Sequence, residues 1–285
     1  MNIGIDLGGT KIQVGIEKEG EIIHRTKALL KEKDNLTSTL DQVIQFIDPL
    51  TKHKVTGIGI GVPSVVDVEK GIVYNVTNIP SWKKVALKEI LEKEFDLPVF
   101  VNNDVNCFVI GEHKFGLGKA YSCLVGMSIG TGLGSGVIIR NRLYAGKNCG
   151  AGEIGLLPYK DKNIEYYASG NFFNAFYQTT ALDAFRSAQK GDQAALNQWK
   201  EFGYHFGVSV QAVMYTYDPQ AIIIGGSVAN AYPYFKESMQ ESFKDFIYPE
   251  SIKTLDIHVS QNENIALLGA AALVDLSLEH INGMA

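Results

Sequence analysis

Residues 99–107 read VFVNNDVNC, an apolar, β-branched run that delivers two amides and an acid, Asn102, Asn103 and Asp104. A carboxylate fixed at a strand tip between amides is oriented in partly dry surroundings, which is how a general base is held. The same residue types also make turns. Asp6 is a second acid of this kind. It closes the apolar run 1–6 and opens DLGGTK, in which Gly8, Gly9, Thr10 and Lys11 leave backbone N–H groups uncovered. Such a loop suits a phosphate oxygen, and the carboxylate suits a hydrated magnesium ion. Two glycines between strands are also what a tight hairpin needs. The loop lacks the GxxxxGK[ST] spacing of a Walker A loop. A strand, IQVGI, follows it rather than the helix that a dinucleotide fingerprint requires.

A second glycine hairpin, GTGLGSG at residues 130–136, carries Gly130, Thr131, Gly132 and Gly134 and breaks the strand 121–129 from the strand 137–140. Two such hairpins after separate apolar strands, each with an acid nearby, predict two lobes holding a nucleotide's phosphates from both sides. Glu153 lies among small residues in GKNCGAGEIGLLPY with no cation near it in sequence, an odd place for a merely solvated acid. Glu165, in IEYYASG, stands at a helix start, where an acid simply favours the dipole. Gly225 and Gly226 end the buried run AIIIGG and let backbone approach a flat ligand such as adenine or ribose. Asn78 and Trp82, in NIPSW, offer a polar and an aromatic partner to a sugar, although Trp82 also suits a domain-surface anchor.

These groups need elements to position them. Helical spacing over 35–50 and again over 84–95, 105–115 and 194–217, with strands between, predicts an α/β protein. His205, inside the last of these helices, reads as an ordinary helix residue rather than a ligand. Residues 265–278, apolar until Asp275, read as a core helix whose small residues Gly269 to Ala272 permit close packing. At 285 residues the chain sits where one core divides into two, and two domains are expected. A net charge of −5 supplies no basic field for nucleic acid or an acidic membrane. Three scattered cysteines, Cys107, Cys123 and Cys149, indicate neither a disulfide framework nor a zinc knuckle and fit a reducing cytoplasm. No apolar run approaches the ~18 residues of a membrane span, and no leader pattern opens the chain.

Taken in order, GIDLGGTK, GIGVPSVVD, NIPSW, VNNDVN, GTGLGSG, AGEIG, EYYASG, IIIGG and LGAAAL resemble the ROK family of sugar kinases and sugar-responsive repressors over nearly the whole chain. The resemblance implies the actin-like, ribonuclease H-like fold: two α/β domains around a cleft. Residues 1–106 with 266–285 would form the small domain and 107–265 the large one. It further implies that Asp104 takes the proton of a hexose hydroxyl, most naturally the 6-OH. Asn103, Glu153, Glu165 and Asn78 would hold the sugar. Gly8, Gly9, Thr10, Lys11, Gly130, Thr131, Gly132 and Gly134 would cradle the phosphates of ATP, Gly225 and Gly226 would lie by the adenosine, and Asp6 by magnesium. Family members are often homodimers.

The departures are as informative. Where much of the family has a histidine after the glutamate, this chain has Leu156, and LPYKDKNI at 157–164 has no cysteine. A structural zinc is therefore not expected, since zinc needs thiolate or imidazole ligands. Leucine in place of a polar contact at the sugar's anomeric end predicts looser recognition there, admitting a β-glucoside, fructose or an N-acetylhexosamine beside glucose. The expected activity is an ATP-dependent hexose kinase. The other class is a non-catalytic sugar-responsive regulator; family repressors carry a helix-turn-helix before the first strand, and here that strand begins at Ile3.

Overall fold

The computed structural model describes residues 1–8, 11–76 and 78–282. Along the chain run β1 (Asn2–Leu7), β2 (Lys11–Lys18), β3 (Glu21–Leu29), α1 (Leu36–Thr51), β4 (Ile58–Val62), β5 (Val65–Asp67), β6 (Ile72–Tyr74) and β7 (Lys84–Ala86). Next come α2 (Leu87–Phe95), β8 (Val99–Asn103), α3 (Asp104–Phe115), β9 (Leu124–Ile129), β10 (Leu133–Ile139), β11 (Arg142–Leu143), β12 (Pro158–Tyr159) and β13 (Lys162–Asn163). The rest is α4 (Ile164–Ala168), α5 (Asn171–Tyr177), α6 (Ala181–Gln189), α7 (Gln193–Tyr217), β14 (Ala221–Gly225), α8 (Tyr232–Glu241), α9 (Pro249–Thr254), β15 (Asp256–Val259) and α10 (Ile265–Asn282). None of the described helices is long and apolar enough to cross a membrane.

Two compact units result: Met1–Ala120 with Leu143–Ala151 and the chain from Asn262 onward, and Tyr121–Arg142 with Gly152–Gln261. The first is built on a sheet ordered β3-β2-β1-β4-β8, in which β1 and β2 form an antiparallel hairpin and β4 and β8 run parallel to β1. Its β-branched strands bury Ile3, Ile5, Val14, Ile58, Ile60 and Val101, as strands packed on both faces do. Asn35 caps α1 by accepting the Ser38 N–H at 3.1 Å. Trp82 is fully buried and donates its indole N–H to Thr39 Oγ1 at 2.8 Å. It is therefore a core residue, neither a surface anchor nor a ligand contact.

The sequence set a boundary after residue 106, yet α3 stays whole in the first unit. Glycines explain this. A Cβ on Gly269 would lie 1.8 Å from the Cys107 carbonyl oxygen, and one on Gly111 2.0 Å from that of Ile265, so α3 and α10 meet backbone to backbone. The same helix covers the sheet, since a Cβ on Gly59 would fall 1.8 Å from the Ala270 carbonyl oxygen.

The second unit repeats the pattern. In its sheet, β11-β10-β9-β14-β15, β9 and β10 are an antiparallel hairpin and β14 and β15 run parallel to β9. Contrary to the expected break over 130–136, β10 begins at Leu133, and Gly134 pairs with Ser128 inside the ladder. Small residues at 134–136 still pair, because Gly136 faces Gly126 and no side chains compete there. The 25-residue α7, capped by Asp192, packs Trp199, Phe202 and Phe206 against Phe172, Phe173 and Phe235.

Candidate active site

Register aligns Asp6 with the strand that leads to Asp104. Asp6 pairs with Gly61, and Gly61 with Asn102, so Asp6 and Asn102 share one row across β1, β4 and β8. Two strand spacings separate them, roughly 10 Å. Asp104 follows two residues later, at the first position of α3. Gly61 makes room for it: a Cβ there would sit 3.2 Å from Asp104 Cα and 3.1 Å from Cys107 Sγ. Both acids thus stand at the carboxyl ends of parallel strands, where open α/β sheets bind ligands.

Asp104 is half-buried, and its Oδ1 accepts the Val105 N–H at 2.9 Å. A helix start is also where negative charge is favoured. Asn103 is the N-cap, its Oδ1 accepting the N–H groups of Val105 at 2.8 Å and Asn106 at 3.3 Å while its Nδ2 donates to the Ser64 carbonyl at 3.3 Å. Much of the amide that the sequence assigned to sugar hydroxyls is therefore engaged with its own helix. Removal from water raises the Asp6 carboxyl above its ordinary range, opposed by a hydrogen bond from Gln13 Nε2 at 3.2 Å and by Lys27. Lys11 is exposed at the start of β2, Gly8 is half-buried, and Asn78 is exposed in the turn before β7. Gly9 and Thr10 lie outside the described residues.

The second unit brings its candidates to one end of its own sheet. Gly225 pairs with Ser128, so Gly225 and Gly226 end a strand beside the one that leads into Gly130. Gly226 has φ +86°, and a Cβ on it would fall 2.3 Å from the Ile129 carbonyl oxygen, so only glycine fits. The hairpin turn is tight, Gly130 N–H donating to the Gly132 carbonyl at 2.9 Å and Gly170 N–H to the Gly130 carbonyl at 2.8 Å. A Cβ at Gly130 would meet nothing within 4 Å, which leaves that side open, and Thr131 is exposed at the tip.

Glu165 braces this turn. Its Oε2 accepts the Leu133 N–H at 2.8 Å and would lie 2.5 Å from a Cβ on Gly132. Glu153 is exposed, and partial desolvation followed by repulsion from Glu165 raises its carboxyl. The backbone before it is anchored, since Ser135 Oγ donates to the Gly152 carbonyl and Gly152 adopts φ +93°. Leu156, 59% exposed, donates its N–H to the Glu153 carbonyl at 3.2 Å.

The cysteine-free segment folds as the β12–β13 hairpin. Tyr159 OH hydrogen-bonds His205 Nδ1 at 3.0 Å, Tyr167 OH donates to Asp161, and Lys160 Nζ lies 4.8 Å above the Tyr167 ring. Burial, aided by Lys160, lowers the His205 imidazole to about 4. The sequence missed this role because the partner tyrosine is 46 residues away. No group of three or more His, Cys, Asp or Glu among the described residues is placed to hold a metal ion. Also missed was a buried cluster under Asp104, formed by Asn102, Asn106 and Cys149; an amide inside an apolar run was its one visible sign.

The profile of the ROK family matches residues 2–276. The xylose repressor of Bacillus spizizenii is 30% identical over 98% of this chain and 77% of its own. The glucokinase of Thermotoga maritima is 28% identical over 95% of this chain and 96% of its own. Among solved structures, the ROK family glucokinase of Streptomyces griseus in complex with glucose and AMPPNP superposes with a TM-score of 0.82 at 27% identity, over 96% of this chain and 99% of that one. Twin sheets, each a glycine-turned hairpin continued by parallel strands, together with this match identify the chain as a member of the ROK family with the actin-like ATPase fold of its glucokinases.

Proposed function

We propose that the protein is an ATP-dependent sugar kinase that transfers the γ-phosphoryl group to a hexose hydroxyl, the 6-OH. The observation that carries this reading is the placement of Asp104 at the first position of α3, just past the end of β8 and two residues beyond Asn102, which shares a row with Asp6 across the sheet. Asp104 accepts the hydroxyl proton as the oxygen attacks. Glu153 and Glu165, with Asn103 and Asn78, hold the sugar's other hydroxyls; their acceptor oxygens match hydroxyl donors. Amides of Gly8, Gly9, Thr10, Thr131 and Gly132, with Lys11, neutralise phosphate charge, Gly130 and Gly134, whose backbone is engaged in the hairpin, keep the approach free of side chains, and Gly225 and Gly226 admit the adenosine. Phosphoryl transfer is largely positioning and charge neutralisation, which backbone donors of this kind supply.

Magnesium fits Asp6. A hard ion that keeps several waters and shares the substrate's phosphates needs only one or two protein carboxylates, and the Asp6 carboxyl, raised by desolvation, gains from a neighbouring cation. When bound, the ion neutralises charge on the β- and γ-phosphates.

Identity to the Bacillus spizizenii xylose repressor favours a second reading, in which the chain binds a sugar without phosphorylating it. ADP release over a panel of glucose, fructose, N-acetylhexosamines, β-glucosides and xylose separates the two. A kinase turns over at least one sugar, and Asp104→Asn lowers its kcat by about 10²–10⁴-fold while the sugar still raises the melting temperature. Sugar binding without ADP release from any panel member supports the regulator. Unchanged turnover in Asp104→Asn removes Asp104 as the base.

A further inference from the structure

Beneath Asp104 lies a polar knot that the proposed chemistry does not use. Asn102 is 4% exposed in the middle of an apolar strand end, a costly place for an amide unless its hydrogen bonds are met. Its Oδ1 is met three times: by the Asn103 N–H at 2.8 Å, by Asn106 Nδ2–H at 2.9 Å and by the Cys149 thiol at 3.3 Å. An amide oxygen has two lone pairs, so this acceptor is saturated. The three donors come from the end of β8, the first turn of α3 and the loop at 145–151, all within the first unit.

Cys149 is held unusually. It is buried with φ +56°, the left-handed region that a non-glycine side chain disfavours, and the backbone amides of Asn103 and Val66 and the side chain of Asn106 face its sulfur. Such a conformation persists where the surroundings over-determine it, commonly next to functional groups. Two of the donors on Asn102 Oδ1 belong to the residues on either side of the Asp104–Val105 pair, so the oxygen fixes the turn that aims the Asp104 carboxylate.

We propose that Asn102 is a positioning residue for Asp104, and that the Cys149 thiol completes its hydrogen-bond set while pinning the 145–151 loop to the tip of β8. The proposal rests on Asp104 being the base. It is tested on the full-length protein with the sugar that gives the fastest ADP release. Asn102→Ala leaves three donors without their shared acceptor and loosens the turn, and is expected to lower kcat by about tenfold or more with the calorimetric sugar affinity changed by less than about threefold. Cys149→Ala is expected to lower kcat by about threefold, and Cys149→Ser, which keeps a donor, to hold it within about twofold of the parent.

Wild-type kcat in both Asn102→Ala and Cys149→Ala, with Asp104→Asn inactive, overturns the proposal and leaves the base assignment standing. Wild-type turnover in Asp104→Asn overturns the base assignment itself. Should Asn102→Ala fail to fold, the cysteine pair decides. Equal losses in Cys149→Ala and Cys149→Ser mean packing alone and overturn the hydrogen-bond role; loss in the alanine variant with rescue by serine supports it.

Discussion

Asp6 and His205 are both held in environments that oppose their charged forms, and each ties stability to pH in its own direction. The Asp6 carboxyl is raised, so its contribution to stability is full below its ordinary 3.8 and is lost as pH climbs through the raised value. At neutral pH its charge is a cost. Asp6→Asn is therefore expected to raise the melting temperature of the ligand-free protein by about 2 °C while lowering turnover, and calorimetry showing a fall would refute this. His205 runs the other way: lowered to about 4, it contributes fully above 6.5 and loses that contribution as pH falls through 4. The expected loss across this window is about 2–3 kcal/mol. In His205→Phe the denaturant midpoint should be flatter between pH 6.5 and 4; an unchanged slope would count against a neutral buried imidazole.

Individual side chains were readable in proportion to how local their partners are. Asp104 announces itself, because an apolar run that ends in an acid is visible within nine residues. The role of Asn102 does not, since its thiol partner stands 47 positions away and no periodicity links them.

Among elements, the strongest device is the small-residue face of α10. Gly269 meets Cys107 backbone, Gly59 meets Ala270, and Gly4 would place a Cβ 2.2 Å from the Leu267 carbonyl oxygen. Gly269→Ala has no flexible neighbour to displace and should cost about 1–3 kcal/mol or more in urea denaturation. A cost near zero would mean that α10 shifts easily. This stripe was legible, as were both hairpins and α1, because each has a period or a turn residue of its own. The three-stranded sheet of β5, β6 and β7 was not: its strands are three residues long, too short to show alternation. The start of β10 was misplaced for the opposite reason, glycine composition imitating a loop where the partner strand supplied the ladder.

At the scale of the whole chain, two units share one connectivity, each opening with a glycine-turned hairpin and continuing with parallel strands. That doubling was carried in the sequence by paired motifs, whereas the backbone contact that keeps α3 with α10 in the first unit joins residues far apart in the chain. Fold likewise does not separate transfer from mere binding, since glucokinases and xylose repressors both match this chain.

The placement of α10 in the first unit bears on how the protein is made. The β1–β4 sheet leaves the ribosome early, but the helix that covers it is translated after the entire second unit. A nascent chain therefore carries an uncovered apolar sheet through most of its synthesis, a state that invites chaperone binding. A chain stopped at residue 264 should keep hydrogen-exchange protection in β9 and β14 and lose it in β1 and β4; protection in all four strands would show that the early sheet can wait without its lid.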